Sequence, residues 1–195
     1  NIDNKVVVTV INPSEEITFK EFLENDEDFL TYISWCRDMN NIRMIGRQEY
    51  LLSMNSENIY NYVKALNNSQ NDSFFKVYIE NDFAGTFKIG HIDWRLGTGD
   101  VGIMIGNALF RGKGYSTKIV RLGILYAFNT LNLRRLEGGC YSTNIAMCQC
   151  FKNCGFQREG EAREALLMDN GGGYCNHVYF GLLKKDLLDF DAKEK

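Results

Sequence analysis

The residues of this chain best equipped for chemistry stand together as Arg111-Gly112-Lys113-Gly114-Tyr115-Ser116. Glycines let a backbone come close to a ligand. The first amides of a helix lack partners within it, and the helix dipole adds partial positive charge at that end. Arg111 and Lys113 bring full charges to the same place. Together these residues read as a cradle for a pyrophosphate. It is not a dinucleotide loop, because the G-x-G-x-x-G spacing and an acidic ribose residue are absent. Nor is it a Walker loop, because no Gly-Lys-Ser/Thr follows four spacer residues.

A cradle of this kind needs a strand before it and a helix after it. The apolar run 101–105 supplies the strand, and 117–131 reads as a helix burying Ile119, Leu122, Leu125, Tyr126 and Phe128. Upstream, the β-branched run 5–11 ends at Asn12-Pro13 and predicts a first strand. Helical spacing appears over 24–37 and 56–66, the second opened by Ser56 as cap and stopped at Asn67-Asn68. Between them, 39–54 reads as a long irregular loop, and loops of that length are more often functional than idle. Residues 74–80 and 83–94 predict a hairpin across Asn81-Asp82, and 96–100 a glycine-rich turn into the strand before the cradle. Downstream come a strand at 135–142, a helix at 144–153 closed by Gly155, and strands at 158–168 and 177–184. Gly138-Gly139 inside the first of these strands marks a bulge or a close approach. The order predicts an α/β (α+β) fold in a single domain over 1–195, with a frayed tail at 189–195.

Composition narrows the functional classes. The chain has 195 residues, is 45% hydrophobic and carries a formal net charge of -3. That suits one domain with a sizeable core and offers no global basic field for nucleic acid. No apolar run approaches the roughly 20 residues that span a bilayer. No secretory signal is visible in the residues given, so a cytoplasmic location is expected. The six cysteines are Cys36, Cys140, Cys148, Cys150, Cys154 and Cys175. In a chain this large, without a visible signal, they read as reduced thiols. Cys148, Cys150 and Cys154 lack a C-x-x-C pair, and only His91 and His177 offer imidazole, so no metal site is expected.

A second block sharpens the reading. Asn144 opens a helix that ends in Gly155-Phe156. With the glycine loop, this resembles the GNAT N-acetyltransferase superfamily, in the branch typified by ribosomal-protein alanine N-acetyltransferases. The family's coenzyme signature is Arg or Gln, two residues, Gly, one residue, then Gly or Ala. Arg111, Gly114 and Ser116 occupy it, with Ser116 a small departure. The resemblance implies a single GNAT-type domain: a mixed, mostly antiparallel sheet of about seven strands flanked by about four helices. It implies acetyl-coenzyme A as co-substrate and no metal. The glycine loop, residues 111 to 116, would hold the pyrophosphate. Ile103, Met104 and Ile105 would line the pantetheine arm, with an amide facing the thioester oxygen. Asn144 would hydrogen-bond the arm, a role compatible with capping its helix.

The reaction implied is direct attack of a neutral amine on the thioester in a ternary complex. It requires the amine about 3 Å from the carbonyl carbon, a donor for the oxyanion, a base for the amine and an acid for the thiolate. Many relatives place a tyrosine as that acid seven residues after the Asn, and here the position is Phe151. A phenyl ring donates no proton. Tyr141, Cys148 and Cys150 lie near the same junction, and Tyr141 is the best of them chemically. For the base, Glu137, Asp93 and His91 are the candidates, His91 because imidazole titrates near neutral pH.

By the same resemblance, the segments 39–50 and 168–175 wall the acceptor pocket. Arg43, Arg47, Tyr50 and, before the coenzyme strand, Trp94 become the acceptor-side candidates. Paired arginines suit an anionic acceptor such as a nucleotide-linked amino sugar. A protein N-terminus is the alternative acceptor, and a catalytically weak acyl-coenzyme A-binding module is a third reading, kept open by Phe151. Neither nucleic acid nor membrane is an expected partner, and the chain is expected as monomer or homodimer.

Overall fold

The computed structural model describes residues 9–12, 15–23, 25–43, 55–168 and 172–187. In chain order the elements are β1 (Thr9–Asn12), β2 (Glu15–Lys20), α1 (Phe29–Cys36), α2 (Met39–Ile42), α3 (Ser56–Asn68), β3 (Ser73–Ile79), β4 (Asp82–Asp93) and β5 (Thr98–Met104). Then follow α4 (Tyr115–Leu125), β6 (Arg135–Tyr141), α5 (Ile145–Asn153), β7 (Gln157–Leu167) and β8 (Tyr174–Leu183). A π-helical turn, Tyr126–Thr130, extends α4, so the helix expected over 117–131 changes pitch in its last turn.

The strands form one sheet in the order β1-β2-β3-β4-β5-β6-β8-β7. Every pairing is antiparallel except β5 with β6. The mixed, mostly antiparallel sheet and the four longer helices agree with the sequence expectation. The sheet has eight strands because 9–20 folds as a hairpin, where the sequence reading saw one strand. The part of the predicted first strand at 5–8 lies outside the described residues, as does the tail at 189–195.

Helices cover both faces of the sheet. Gly123 on α4 sits so close to Phe87 of β4 that a Cβ there would come 1.9 Å from the ring. That contact seats α4 on one face, burying Ile119, Val120 and Ile124 with Phe128 of the π turn. α5 joins the same face, with Phe151 stacked on Phe180 at 5.2 Å between ring centroids. α1 and α3 cover the other face through Tyr32, Trp35, Ile59 and Val63, packed on Phe22 and Phe74. Burying each such aromatic or aliphatic side chain contributes about 1.5–3 kcal/mol.

Local signals explain the helix ends. Asn55, one residue before the expected Ser56, caps α3 by accepting from Asn58 N at 2.8 Å. Asn144 caps α5 by accepting from Met147 N at 3.1 Å. At its other end Gly155 takes φ 89°, and Phe156 N returns to Phe151 O at 3.0 Å. The first helix begins at Phe29 rather than near residue 24, because Asp26 is turned inward. Its carboxylate meets Lys76 Nζ of β3 at 2.7 Å, and Asp28 meets the same nitrogen at 2.9 Å.

Candidate active site

The site is built on a break in the sheet. β5 and β6 pair only at Thr98–Arg135, Gly99–Leu136 and Asp100–Glu137. Beyond them β5 runs on to Met104 and β6 to Tyr141 without pairing to each other. The backbone groups of β5 on that side therefore have no ladder partner among the described residues, and they offer a template for an extended ligand rich in amides.

A cavity of about 400 Å³ occupies the gap. On the α1/α3 face it is lined by Tyr32, Cys36, Tyr62, Phe74 and Lys88. It then passes between Ile103, Met104 and Ile105 on one side and Gly139 and Cys140 on the other, reaching Asn144, Met147 and Phe151 of the α5 face. The opening thus runs through the sheet. The three residues expected to line a pantetheine arm and the expected Asn144 meet in it.

The glycine loop stands at the far end of β5. Gly112 and Gly114 take φ 70° and 81°, a left-handed conformation that side chains rarely adopt. Gly114 is the N-cap of α4 and brings no side-chain capping bond, so the first turn of the helix presents its amides to a ligand. Lys113 is exposed there. Lys118 Nζ lies 5.2 Å from the ring centre of Tyr115, which keeps a second cation within the first helical turn. Arg111 behaves differently. Its guanidinium donates from Nε to Ile105 O at 3.2 Å and from Nη2 to Gly106 O at 2.8 Å. It fastens the loop to the end of β5, where the sequence reading had it facing phosphate.

A second cavity of about 390 Å³ lies beside the gap and shares Val101 and Gly139 with the first. Asp100, Glu137 and His177 line it. Glu159 also borders it, but is held by Arg135 at 2.6 Å. Sheet register puts Lys88, Gly102, Asp100, Glu137, Tyr141 and His177 on one face. His177 packs on Gly139, which lines both cavities: a Cβ on that glycine would fall 2.4 Å from its Nε2. Burial holds the His177 imidazole below its ordinary pKa, against the charge of Asp100, which pulls it up. Burial also raises the Asp100 carboxyl, against the pull of His91 and Lys88 and with help from Glu137.

The candidates for base and acid separate accordingly. Glu137 lines the second cavity, with one oxygen 3.4 Å from Arg135 Nε. His91 stands on the rim with its side chain 81% exposed, its Nδ1 3.5 Å from Asp100 Oδ2, and lines neither cavity. Asp93 accepts from Leu96 N in the β4–β5 turn at 2.9 Å. Tyr141 is buried and donates its hydroxyl to Leu167 O at 3.2 Å, away from the gap. Phe151 lines the gap with no hydroxyl to give.

On the acceptor side, Arg43 lies exposed at the end of α2, while Arg47 and Tyr50 lie outside the described residues. Trp94 is 52% exposed and donates its indole N–H to Gln70 O at 3.0 Å, away from both cavities. Sequence reasoning missed Asp100 and His177. The only signal available was their chemistry, since Asp100, Gly139 and His177 meet through three separate strands. All six cysteines are free. No helix among the described residues is long and apolar enough to cross a membrane.

Known proteins share this architecture. Residues 16–157 match the acetyltransferase (GNAT) domain family. A probable N-acetyltransferase of Bacillus subtilis, YjcK, is 33% identical over 91 residues, which cover 47% of this chain and 49% of that protein. The chain spans about half the length of the curated relatives it matches, 49% to 58%. Spermidine N-acetyltransferase from Vibrio cholerae, solved with coenzyme A and spermine, superposes with a TM-score of 0.79 at 16% identity, over 88% of this chain and 98% of that one. Mycobacterium smegmatis RimJ, in complex with CoA-disulfide, superposes with a TM-score of 0.77 at 16% identity, over 93% and 88%. With most of its length in the family match, its sheet broken between β5 and β6 and a glycine loop leading into α4, the chain belongs to the acetyltransferase (GNAT) domain family.

Proposed function

We propose that the protein is an acetyl-coenzyme A-dependent N-acetyltransferase that transfers acetyl directly to the primary amine of a small molecule, of the amino sugar or nucleotide-linked amino sugar class. The observation that carries this reading is the cavity running through the sheet where β5 and β6 part. In this reading the coenzyme enters from the α4/α5 face. Its pyrophosphate meets Gly112, Lys113, Gly114, Tyr115 and Ser116, and its arm pairs with Ile103, Met104 and Ile105. Asn144, its oxygen committed to the cap, turns its side-chain amide to the arm. The amine arrives from the other face, through the cavity of Asp100 and His177.

The chemistry follows from the positions. The amine nitrogen forms a bond to the thioester carbon, and a backbone N–H near the end of β5 stabilises the oxyanion. His177, neutral near pH 7, takes the proton released from the amine. Asp100 stabilises the imidazolium that results. The C–S bond breaks and the coenzyme A thiolate leaves, protonated from solvent because Phe151 supplies no acid. Arg135, Asp100 and Glu137 give the acceptor cavity both signs of charge, which suits a small polar amine.

Two measurements test the proposal. Acetyl-coenzyme A at 100 times its Kd stabilises a binding protein by about 2.7 kcal/mol, so the melting temperature must rise. No rise, and no heat of binding, overturns the donor assignment. Thiol release is then followed across amino sugars, their nucleotide-linked forms, spermine and peptides with free N-termini. Turnover with the sugars supports the proposal. Turnover with spermine alone or peptides alone reassigns the acceptor. Binding without turnover on any amine supports the weakly catalytic module, the reading that Phe151 favours.

A further inference from the structure

Two thiols meet at the wall of the through-sheet cavity. Cys140 on β6 and Cys148 on α5 hold their sulfurs 2.9 Å apart. Cys140 is 6% exposed and lines the cavity between Gly139 and Asn144. Cys148 is half-buried, and its thiol also lies 3.9 Å from Tyr141 O. The other two thiols of this segment, Cys150 on α5 and Cys154 at its C-cap, engage one another. Cys154 also donates to Thr117 O at 3.6 Å. Cys140 and Cys148 therefore form a separate pair, one member reachable from solvent and the other facing the cavity.

We propose that Cys140 and Cys148 are an oxidisable dithiol whose closure to a disulfide weakens coenzyme binding in the adjacent cavity. The oxidant is a hydroperoxide. The thiolate of Cys148, the more accessible sulfur, attacks the peroxide, the O–O bond breaks, and Cys148 becomes a sulfenic acid. The sulfur of Cys140 then attacks Cys148, the S–S bond forms, and the S–O bond breaks. The proton of Cys140 leaves with the expelled hydroxide as water. Overall, two thiols and one hydrogen peroxide give one disulfide and two waters. The order follows from access. Burial, with Cys148 and Cys150 beside it, pushes the Cys140 thiol well above its ordinary pKa, so it is the poorer first nucleophile.

The sulfurs already stand close to bonding distance. A disulfide needs its sulfurs about 2.05 Å apart, so they have about 1 Å left to close. The result reaches the cavity because both partners sit on its wall elements. Cys148 follows Met147, which lines the cavity, and Asn144 begins the same helix. A covalent tie draws the start of α5 towards β6, across the space that the arm of a coenzyme occupies under the proposed function.

The test separates oxidation from function. The full chain is treated with one equivalent of hydrogen peroxide, alkylated without reductant, and measured by intact mass and peptide mapping. The expected result is loss of two hydrogen atoms, two fewer alkylated thiols, and a cross-linked peptide joining Cys140 to Cys148. Cys140→Ser and Cys148→Ser each abolish that cross-link, and dithiothreitol reverses it. A cross-link between Cys150 and Cys154, or oxidation of Cys148 to sulfinic acid without a bridge, overturns the pair. Acetyl-coenzyme A binding to the reduced and oxidised chains is then measured by calorimetry. A several-fold weaker affinity after oxidation is expected, and an unchanged affinity overturns the link to the cavity. If the reduced chain binds no acetyl-coenzyme A, the proposed function fails while the dithiol result stands.

Discussion

The far edge of the Phe151 ring rests on Gly138: a Cβ at that glycine would lie 2.4 Å from both Cε1 and Cζ. The glycine inside β6 is thus the space into which an α5 side chain packs. Gly138→Ala forces Phe151 off its seat in a core it shares with Phe156 and Phe180. Overpacking of this kind costs about 1–3 kcal/mol, which lowers the melting temperature of a domain this size by roughly 2–4 °C per kcal/mol. The double variant Gly138→Ala/Phe151→Leu should regain part of the loss in thermal unfolding.

Phe151→Tyr adds a hydroxyl at Cζ, on the ring edge that rests on Gly138, so the ring must shift for that hydroxyl to reach the leaving thiolate of the proposed reaction. General acid catalysis by a placed group typically contributes about 10²–10⁴-fold, and coenzyme A thiolate, a fair leaving group, should claim the lower end or less. A several-fold rise in kcat is expected, with KM for acetyl-coenzyme A little changed. An unchanged kcat in a variant of unaltered melting temperature means that proton delivery does not limit turnover.

His177→Gln should lower kcat by about 10²-fold or more with the acceptor that the panel identifies, while leaving the thermal shift with acetyl-coenzyme A intact. The pH profile carries the sharper test. Burial lowers the His177 pKa, so the imidazole is neutral at pH 7 and protonates only as pH falls below about 6.5. The wild-type kcat/KM should decline through that acid limb. The groups that face His177 are Asp100 on β5, Glu137 and Tyr141 on β6, and Tyr179 on its own strand. Asp100→Asn removes the charge that raises the imidazole pKa, so the limb should move to lower pH. A profile unchanged in His177→Gln refutes the base assignment.

Lys76 and Asp26 form a buried ion pair, with side chains 7% and 5% exposed. Lys76→Met leaves the Asp26 carboxylate buried without its counter-ion, at a cost of about 3 kcal/mol near pH 7. Burial pushes the Asp26 carboxyl up. The bond from Lys76 and the backbone N–H groups of Asp28 and Leu23 outweigh it, leaving the pKa below the ordinary value. The sign follows: the stabilisation is complete above the unfolded pKa of about 3.9 and is lost as pH falls through the lowered folded value. The wild-type melting temperature should therefore drop more steeply than that of Lys76→Met below about pH 4, narrowing the difference between them.

Much of this architecture was legible where local chemistry decides it. The hairpin at Asn81, the strand at 135, and the helix from Asn144 to the left-handed Gly155 all follow from turn residues, periodicity and caps, and the structure reproduces them within a few residues. Gly138-Gly139, read as a close approach, receives Phe151 on one face and His177 on the other. What stayed hidden depends on long-range contacts. β2 was missed because its pairing with β3, Ile17 opposite Ile79, joins distant parts of the chain. The late start of α1 reflects Asp26 and Asp28 reaching Lys76, a partner no local window contains. The same limit applied to the site. The glycine loop is contiguous and could be read, whereas Asp100, Gly139 and His177 converge only once β5, β6 and β8 are in register.

The two bonds from Arg111 to the carbonyls of Ile105 and Gly106 make the strand end and the glycine loop one rigid piece. Under the proposed donor mode, that piece works as a ruler. One end grips diphosphate and the other presents an amide to the acyl oxygen, so the span between them is set by the protein. A donor is then selected by the length of its arm as well as by its charge. An acyl thioester carried on a shorter thiol would leave its carbonyl beyond the reach of the incoming amine, however reactive the thioester itself.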